Sequence, residues 1–336
     1  IGAGHFRGSH HRPGRVLRRI EDQQPSFFRD ARGDVSRLHP KRVFLAQRHR
    51  HGYGTGEAQY DFTHALVRQT LYEGLNSPRR AALHRRIGEA LESLHGGNPE
   101  MHLGQLAYHF SRASAGGEIK AIEYARRAGD HALSVYAYDE AIREYERALD
   151  AVKLDRDSGE RRRCLVLISL GEARLCTGRV AAAKHSFLEA IGIARQLADT
   201  ELFARAALGY GREWESGTIP HDAILVLEQA LAMLGGQRSA LRSRLLAGLA
   251  NTLYFAPEHE RKDELTSEAI SIARETGDTG ALAFALYSRH FVLAAVVALE
   301  DRLAAATETV ELAEQLGDTS MSLRGHAWRG ADLIEM

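Results

Sequence analysis

The sequence predicts an all-α protein in which helical hairpins repeat about every 40 residues. Ala, Leu, Arg and Glu dominate the chain and only 7 of its 336 residues are Pro, a composition that favours helix. The segments LADT (197–200), TGDT (276–279) and LGDT (316–319) each follow a helix-like stretch, at intervals of 79 and 40 residues. Apolar residues make up 44% of the chain, enough to bury the inner face of such hairpins.

Residues 1–57 differ in kind from the rest. They are rich in Arg, His and Gly, as in GHFRGSHHRPGRVLRR and QRHRHGYGTG, and carry 12 Lys and Arg against 5 Asp and Glu, or +7. The remaining residues carry 32 against 39, or −7. No helical or strand period persists in this leader, so no stable element is predicted there.

Three interpretations of the leader are open. It could be a basic nucleic-acid arm, or a His-rich metal tract built on His10, His11, His49 and His51, although these lack defined ligand spacing. The third, which its composition favours, is a disordered or non-native segment, such as an out-of-frame reading of GC-rich coding sequence. Because the chain begins with Ile1, we expect a fragment of a longer protein.

Residues 58–115 change to an amphipathic pattern. Tyr60–Phe62 predicts a short strand followed by a helix. Ser77 is the predicted N-cap of a second helix with Pro78 at its first position, and Gly96-Gly97 ends that helix. The predicted buried faces of this helix and the next, before Gly116-Gly117, are Leu83, Ile87, Ala90, Leu91 and Leu94, and then Leu103, Leu106, Ala107 and Phe110.

The repeats begin at about residue 116. In the two GDT segments a Gly allows the left-handed turn that ends one helix, and in all three segments an Asp can cap the next helix. The interval of 79 residues spans two periods, so one further copy should fall near residue 238, where LGGQ (234–237) lies. Small and aromatic residues also recur at fixed offsets, as in Ala141, Tyr145 and Ala148, then Ala183, Phe187 and Ala190, then Ala223, Leu227 and Ala230.

This pattern resembles the tetratricopeptide repeat, in which small residues let two helices approach closely. Gly129, Gly171 and Gly211 each lie twelve residues before the first member of a set. The period exceeds the family's usual 34 or so residues, and its consensus Trp and Pro are mostly absent. The prediction is therefore a solenoid of degenerate, elongated repeats whose stacking supplies the core. An irregular helical bundle is the alternative.

The segment YDFTHALVRQTLYEGL (60–75) and the helices after it resemble a region of bacterial STAND-class regulatory ATPases, including LuxR-type regulators and cyclase-linked relatives. The match rests on Phe62, His64, Leu66 and Tyr72, followed by the Arg-rich, Leu-His helix from Arg79 to Arg85. The resemblance implies the end of a winged-helix module in residues 58–115 and a tetratricopeptide array in 116–336. We expect that array to be truncated, because the chain stops inside a repeat.

The catalytic core of such an ATPase is not expected within this chain. No Gly-Lys pair occurs, and GYGTG (52–56) and IGAG (1–4) are glycine-rich without the lysine of a phosphate-binding loop. Neither an HExxH motif nor a nucleophile elbow is present. We therefore predict a non-catalytic sensor or protein-interaction arm. ATP or ADP would bind to the longer parent, and nucleic acid would bind only through a missing output domain. The alternative function is nucleic-acid binding by the basic leader.

Two sets of candidate site residues follow. The STAND resemblance implies that His64 approaches the ADP phosphates in a full-length parent; packing or capping at the strand–helix junction is the other interpretation. The repeat offsets place five residues on the concave face, where solenoids bind proteins or small effectors: Arg205, Arg212, Asn251, Tyr254 and Tyr287.

The remaining features indicate a cytoplasmic protein without a disulfide framework or metal site. Cys164 and Cys176 are the only cysteines and form no CxxC pair. The longest apolar run, FVLAAVVAL (291–299), is too short to span a membrane and predicts a buried helix. No signal peptide is recognised.

Overall fold

The computed structural model describes residues 47–49, 59–61, 65–95, 97–113, 117–153, 159–213, 216–294 and 297–336. The chain divides into two compact units. The first holds residues 1–131 and 150–155, and the second holds 132–149 and 156–336. None of the helices within the described ranges is long and apolar enough to cross a membrane.

Two short strands precede the helices. β1 (Gln47–His49) pairs antiparallel with β2 (Gln59–Asp61), and Arg48 lies opposite Tyr60. β2 lies one residue earlier than the predicted strand at 60–62. The expectation that residues 1–57 hold no element is wrong at β1. A strand this short forms only with a pairing partner, and its own sequence pattern does not reveal that partner. The rest of the leader lies outside the described residues.

The first unit contains α1 (Ala65–Glu73), α2 (Ser77–His95), a 3-10 turn (Glu100–His102), α3 (Leu103–Arg112) and most of α4 (Glu118–Ser134). On α3 the four predicted face residues are all buried, and on α2 Ile87 and Leu91 are buried as predicted. The predicted N-cap of α2 is wrong by one residue. The side chain of Asn76, not Ser77, accepts a hydrogen bond from the Arg79 N–H at 3.0 Å, because Ser77 already lies in the first turn.

The second unit consists of successive helical hairpins. Its helices are α5 (Tyr138–Val152), α6 (Gly159–Cys176), α7 (Val180–Gln196), α8 (Thr200–Tyr210), α9 (His221–Leu234), α10 (Ala240–Thr252), α11 (His259–Thr276), α12 (Thr279–Leu293), α13 (Leu299–Leu316) and α14 (Thr319–Glu335). From α6 onward each helix packs against the next, and the first helices α8, α10, α12 and α14 also contact one another in order. The second unit is therefore an all-α, tetratricopeptide-like stack of hairpins, as predicted.

Helix ends confirm the predicted turn chemistry. Gly277 and Gly317 both adopt a φ of 67° at helix ends, a conformation that costs Gly little because it has no Cβ. The carboxylates of Asp199, Asp278 and Asp318 each accept a hydrogen bond from a backbone N–H in the first turn of the next helix. The further copy predicted near residue 238 is present, but Ser239 caps its helix in place of Asp.

The recurring small and aromatic residues form the core between helices. Ala183, Phe187 and Ala190 are fully buried, as are Tyr145 and Leu227 at the equivalent position of neighbouring repeats. Phe187 packs directly over two glycines. A Cβ on Gly171 would lie 2.6 Å from its ring, and one on Gly209 would lie 2.3 Å from it. These glycines let the aromatic side chain of one helix reach the backbone of its neighbours.

The later repeats replace the first small residue of the set by a buried cation. Lys262 is 1% exposed, and its Nζ donates to the Ala256 carbonyl at 3.0 Å. Arg302 likewise donates to the Ala294 carbonyl at 2.5 Å.

The interpretation of 291–299 as one buried helix is wrong. The run contains the end of α12 at Leu293 and the start of α13 at Leu299, because the repeat period ends one helix and begins the next within it.

Candidate functional site

The first helices of the last four repeats form a groove in the second unit. α8, α10, α12 and α14 each contribute to it, through residues within the helix or directly after its end, and its volume is about 110 Å³. Its apolar lining comes from Leu208, Phe284, Tyr287 and Phe291. At Gly248 a Cβ would lie 2.7 Å from the side chain of Leu208, so this glycine permits the close approach of α8 and α10 beneath the groove.

One wall of the groove is a run of stacked aromatic rings. The rings of Tyr287 and Phe291 are 6.1 Å apart and nearly parallel, and Tyr254 stacks on Phe291 at 4.6 Å. Trp328 contacts the same Phe291 ring at 6.2 Å. Since each ring is held by its neighbour, the wall offers a rigid apolar surface to a ligand.

Asn251 is buried at this groove with one polar atom unused. Its Nδ2 donates to the Ser288 hydroxyl at 3.0 Å. Its Oδ1 is buried and has no hydrogen-bond partner among the described residues. Leaving a buried acceptor unpaired costs about 1–3 kcal/mol, and because this atom is closed to solvent, a ligand N–H would reach it only when the side chains that cover it move apart.

Charged side chains stand at the groove on both sides. Arg212 and Glu213 follow α8, and Arg324 comes from α14. All three are exposed. The Arg324 guanidinium lies 5.6 Å from the centre of the Tyr287 ring, a cation–π contact that holds the charge beside the aromatic wall.

The structure brings together most of the residues predicted for the concave face. Arg212, Asn251 and Tyr287 line the groove, and Tyr254 supports it by stacking on Phe291. Arg205 is exposed on α8 but does not line the groove. His64 lies outside the described residues. Whether these five residues bind a partner stays a prediction.

Sequence reasoning missed Phe284, Phe291 and Arg324, which complete the groove. The repeat period contained a signal for two of them. Phe291 lies 40 residues after Asn251, and Arg324 lies 40 after Phe284, so each pair occupies equivalent positions of successive first helices. The apolar run FVLAAVVAL (291–299) hides this signal at Phe291, because the residues after it in the run are also apolar.

A second polar cluster lies in the first unit. The Tyr72 hydroxyl is 2.9 Å from His84 Nε2, and His84 Nδ1 is 3.0 Å from His109 Nδ1. Two facing nitrogens form a hydrogen bond only when one carries a proton and the other does not. Burial, followed by the charge of Arg112, lowers the pKa of His84. Burial, followed by His84 and Arg112, lowers the pKa of His109 to about 4.

The described part of the chain holds two free cysteines, of which Cys164 is buried and Cys176 exposed. No set of three or more His, Cys, Asp or Glu side chains there is placed to hold a metal ion. Cys164 is a buried free thiol whose pKa is raised to about 11, chiefly by burial, so it is a poor nucleophile.

Comparisons with known proteins match parts of this chain. Residues 129–208 and 237–296 match the family model described as anaphase-promoting complex subunit 5, which is less than half of the chain. An uncharacterized protein of Rhizobium meliloti (strain 1021) is 28% identical over 184 residues, 53% of this chain and 18% of that protein. The chain thus covers less than a fifth of this relative's length.

Solved structures of two Rap proteins are similar to this chain at low sequence identity. The apo form of RapI has a TM-score of 0.49 at 12% identity, covering 69% of this chain and 91% of that one. A Rap protein complexed with competence and sporulation factor also has a TM-score of 0.49 at 12% identity, covering 95% of each chain. At this level of similarity, the fold assignment rests on the helices and packing described above.

Proposed function

We propose that the repeat region is a protein-interaction arm that binds an extended peptide segment of a partner in the groove. The observation that carries this proposal is the unpaired, buried Oδ1 of Asn251 at the edge of a stacked aromatic wall. A peptide backbone supplies N–H donors at regular intervals together with side chains for an apolar surface. Both features of the groove are therefore satisfied by one kind of ligand.

The size of the groove favours a peptide over a small effector. Small-molecule pockets usually enclose about 300–1,000 Å³, whereas this groove has a volume of about 110 Å³. That volume suits one apolar side chain, with the rest of the ligand lying on the surface of the first helices. The occupant is thus a chain that continues beyond the groove.

We place this arm in a STAND-type signalling protein, in which partner binding is relayed to an ATPase core outside this chain. The junction motif around His64, with Phe62 and Tyr72, supports the assignment. In such a parent, His64→Ala should weaken ADP binding and raise basal activity. Unchanged ADP affinity together with unchanged basal output would return His64 to a packing role.

Panning a displayed library of random nonapeptides against the full chain tests peptide binding directly. We expect enriched peptides that compete with one another for one site. Asn251→Ala should weaken them by about tenfold or more, because a hot-spot truncation costs about 2 kcal/mol. Tyr287→Ala should do the same by removing part of the aromatic wall.

Tyr136→Ala is the matched control for Tyr287→Ala. Tyr136 is 58% exposed in the turn before α5 and does not line the groove, so its loss should leave peptide affinity unchanged. Circular dichroism of each variant verifies that the helices are intact. An unenriched library, or enriched peptides that bind both groove variants as tightly as the original chain, would overturn the proposal.

A further inference from the structure

The arginines at the groove differ from most others in the second unit. Elsewhere the hairpins pair their arginines with carboxylates, as in Arg179 with Asp139 at 2.7 Å and Arg242 with Glu268 at 3.0 Å. Arg212 and Arg324 line the groove and have no carboxylate partner among the described residues. Two exposed guanidiniums therefore stand beside the aromatic wall with their donors unused by this part of the chain.

The placement of the two arginines defines the pattern that a ligand must match. Arg212 follows α8, and Arg324 lies on α14. The first helices pack in the order α8, α10, α12, α14, so the apolar Tyr287 and Phe291 on α12 lie between the two arginines. Glu213 is the one acidic residue among those lining the groove. The charged side chains at the groove therefore sum to a net positive charge.

We propose that the partner segment is acidic, with carboxylates flanking an apolar side chain that enters the groove. This inference rests on the proposed peptide-binding function and specifies its ligand. A guanidinium accepts a carboxylate in a bidentate geometry, and the aromatic wall takes the apolar side chain. A backbone N–H of the same segment reaches Asn251 Oδ1 once the side chains that cover this atom move apart.

The composition of the enriched nonapeptides tests the chemistry of the ligand separately from peptide binding itself. We expect Asp and Glu to be enriched over the starting library on both sides of Leu, Ile, Phe or Met. Enrichment of neutral or basic peptides at the groove would overturn the acidic assignment and leave the proposed function intact. Failure to enrich any peptide would instead remove the proposed function on which the inference rests.

Synthetic peptides make the test quantitative. The probe is the best enriched peptide, acetylated and amidated so that its termini carry no charge, compared with a version in which every Asp becomes Asn and every Glu becomes Gln. Isothermal titration calorimetry should show the acidic version binding more tightly, and raising NaCl from 50 to 500 mM should narrow the difference in affinity between the two versions. Equal affinities for the two versions would refute the inference.

Substitutions at the groove should move affinity in opposite directions. Arg212→Gln and Arg324→Gln should each weaken the acidic probe by about fivefold, the upper range for an exposed ion pair. Glu213→Gln should strengthen it, since it removes the opposing charge. Arg329→Gln is the matched control, because Arg329 also lies on α14 but does not line the groove. If Arg329→Gln weakened binding as much as Arg324→Gln, the effect would be one of net charge and the assigned site would be wrong.

Discussion

His84 and His109 link the stability of the first unit to pH. Both are less easily protonated in the folded chain than the ordinary pKa of 6.5 implies, and the pKa of His109 falls to about 4, first because of burial. The unfolded chain therefore binds more protons between pH 6.5 and about 4. We expect the protection of α2 and α3 amides against hydrogen exchange to be constant above pH 7 and to fall below pH 6.5, after correction for intrinsic exchange rates.

The histidine pair can be separated from general acid effects by substitution. His109→Gln removes the imidazole whose pKa falls to about 4, so the loss of protection on acidification should become shallower. His185→Gln is the control, because His185 is exposed on α7. If His109→Gln kept the same pH dependence as the original chain, the lowered pKa of His109 would not be the cause of the loss of protection.

At the scale of the helical element, glycine at the contact between α7 and α8 decides how closely the helices pack. Gly209→Ala would place a methyl 2.3 Å from the fully buried Phe187 ring, and we expect overpacking to lower the free energy of unfolding by about 1–3 kcal/mol. Gly192→Ala lies within α7 with open space around the added Cβ. It should instead raise stability by about 0.5–1 kcal/mol.

Urea unfolding followed by circular dichroism measures both glycine variants on one scale. The two substitutions add the same methyl group to a helix, so a difference in sign isolates the steric contact from helix propensity. Equal shifts of the unfolding midpoint would show that Phe187 and its neighbours adjust to the added methyl without cost.

At the scale of the whole molecule, we predict that the purified 336-residue chain does not hydrolyse ATP. The chain has no Gly-Lys pair in its sequence, and the lysine of a phosphate-binding loop is what reaches the β- and γ-phosphates. Phosphate release should equal that of a mock purification. Turnover above that level that a substitution within the chain abolishes would contradict the prediction and its assignment as an interaction arm.

The sequence alone determined the features that depend on local backbone geometry and hydrophobic period. The 40-residue repeat, the glycines at 277 and 317, the Asp caps and the buried positions of α3 all follow from patterns contained within one or two helices. Such patterns can be recognised in the sequence because few residue types are favoured at a left-handed turn or at a helix end. The predicted N-cap of α2 is one residue too late, because Asn76 and Ser77 are both favoured cap residues and the sequence alone does not choose between them.

Only the tertiary structure decided which residues meet at the groove. Arg212, Asn251 and Arg324 lie on or directly after three different first helices and come together because those helices pack side by side. Arg205 fits the same offsets yet does not line the groove, because it lies three residues before Leu208, the first groove residue on α8, and so nearer the start of that helix. The unpaired Oδ1 of Asn251 is likewise invisible in sequence, because whether a buried polar atom is satisfied depends on every neighbour that surrounds it.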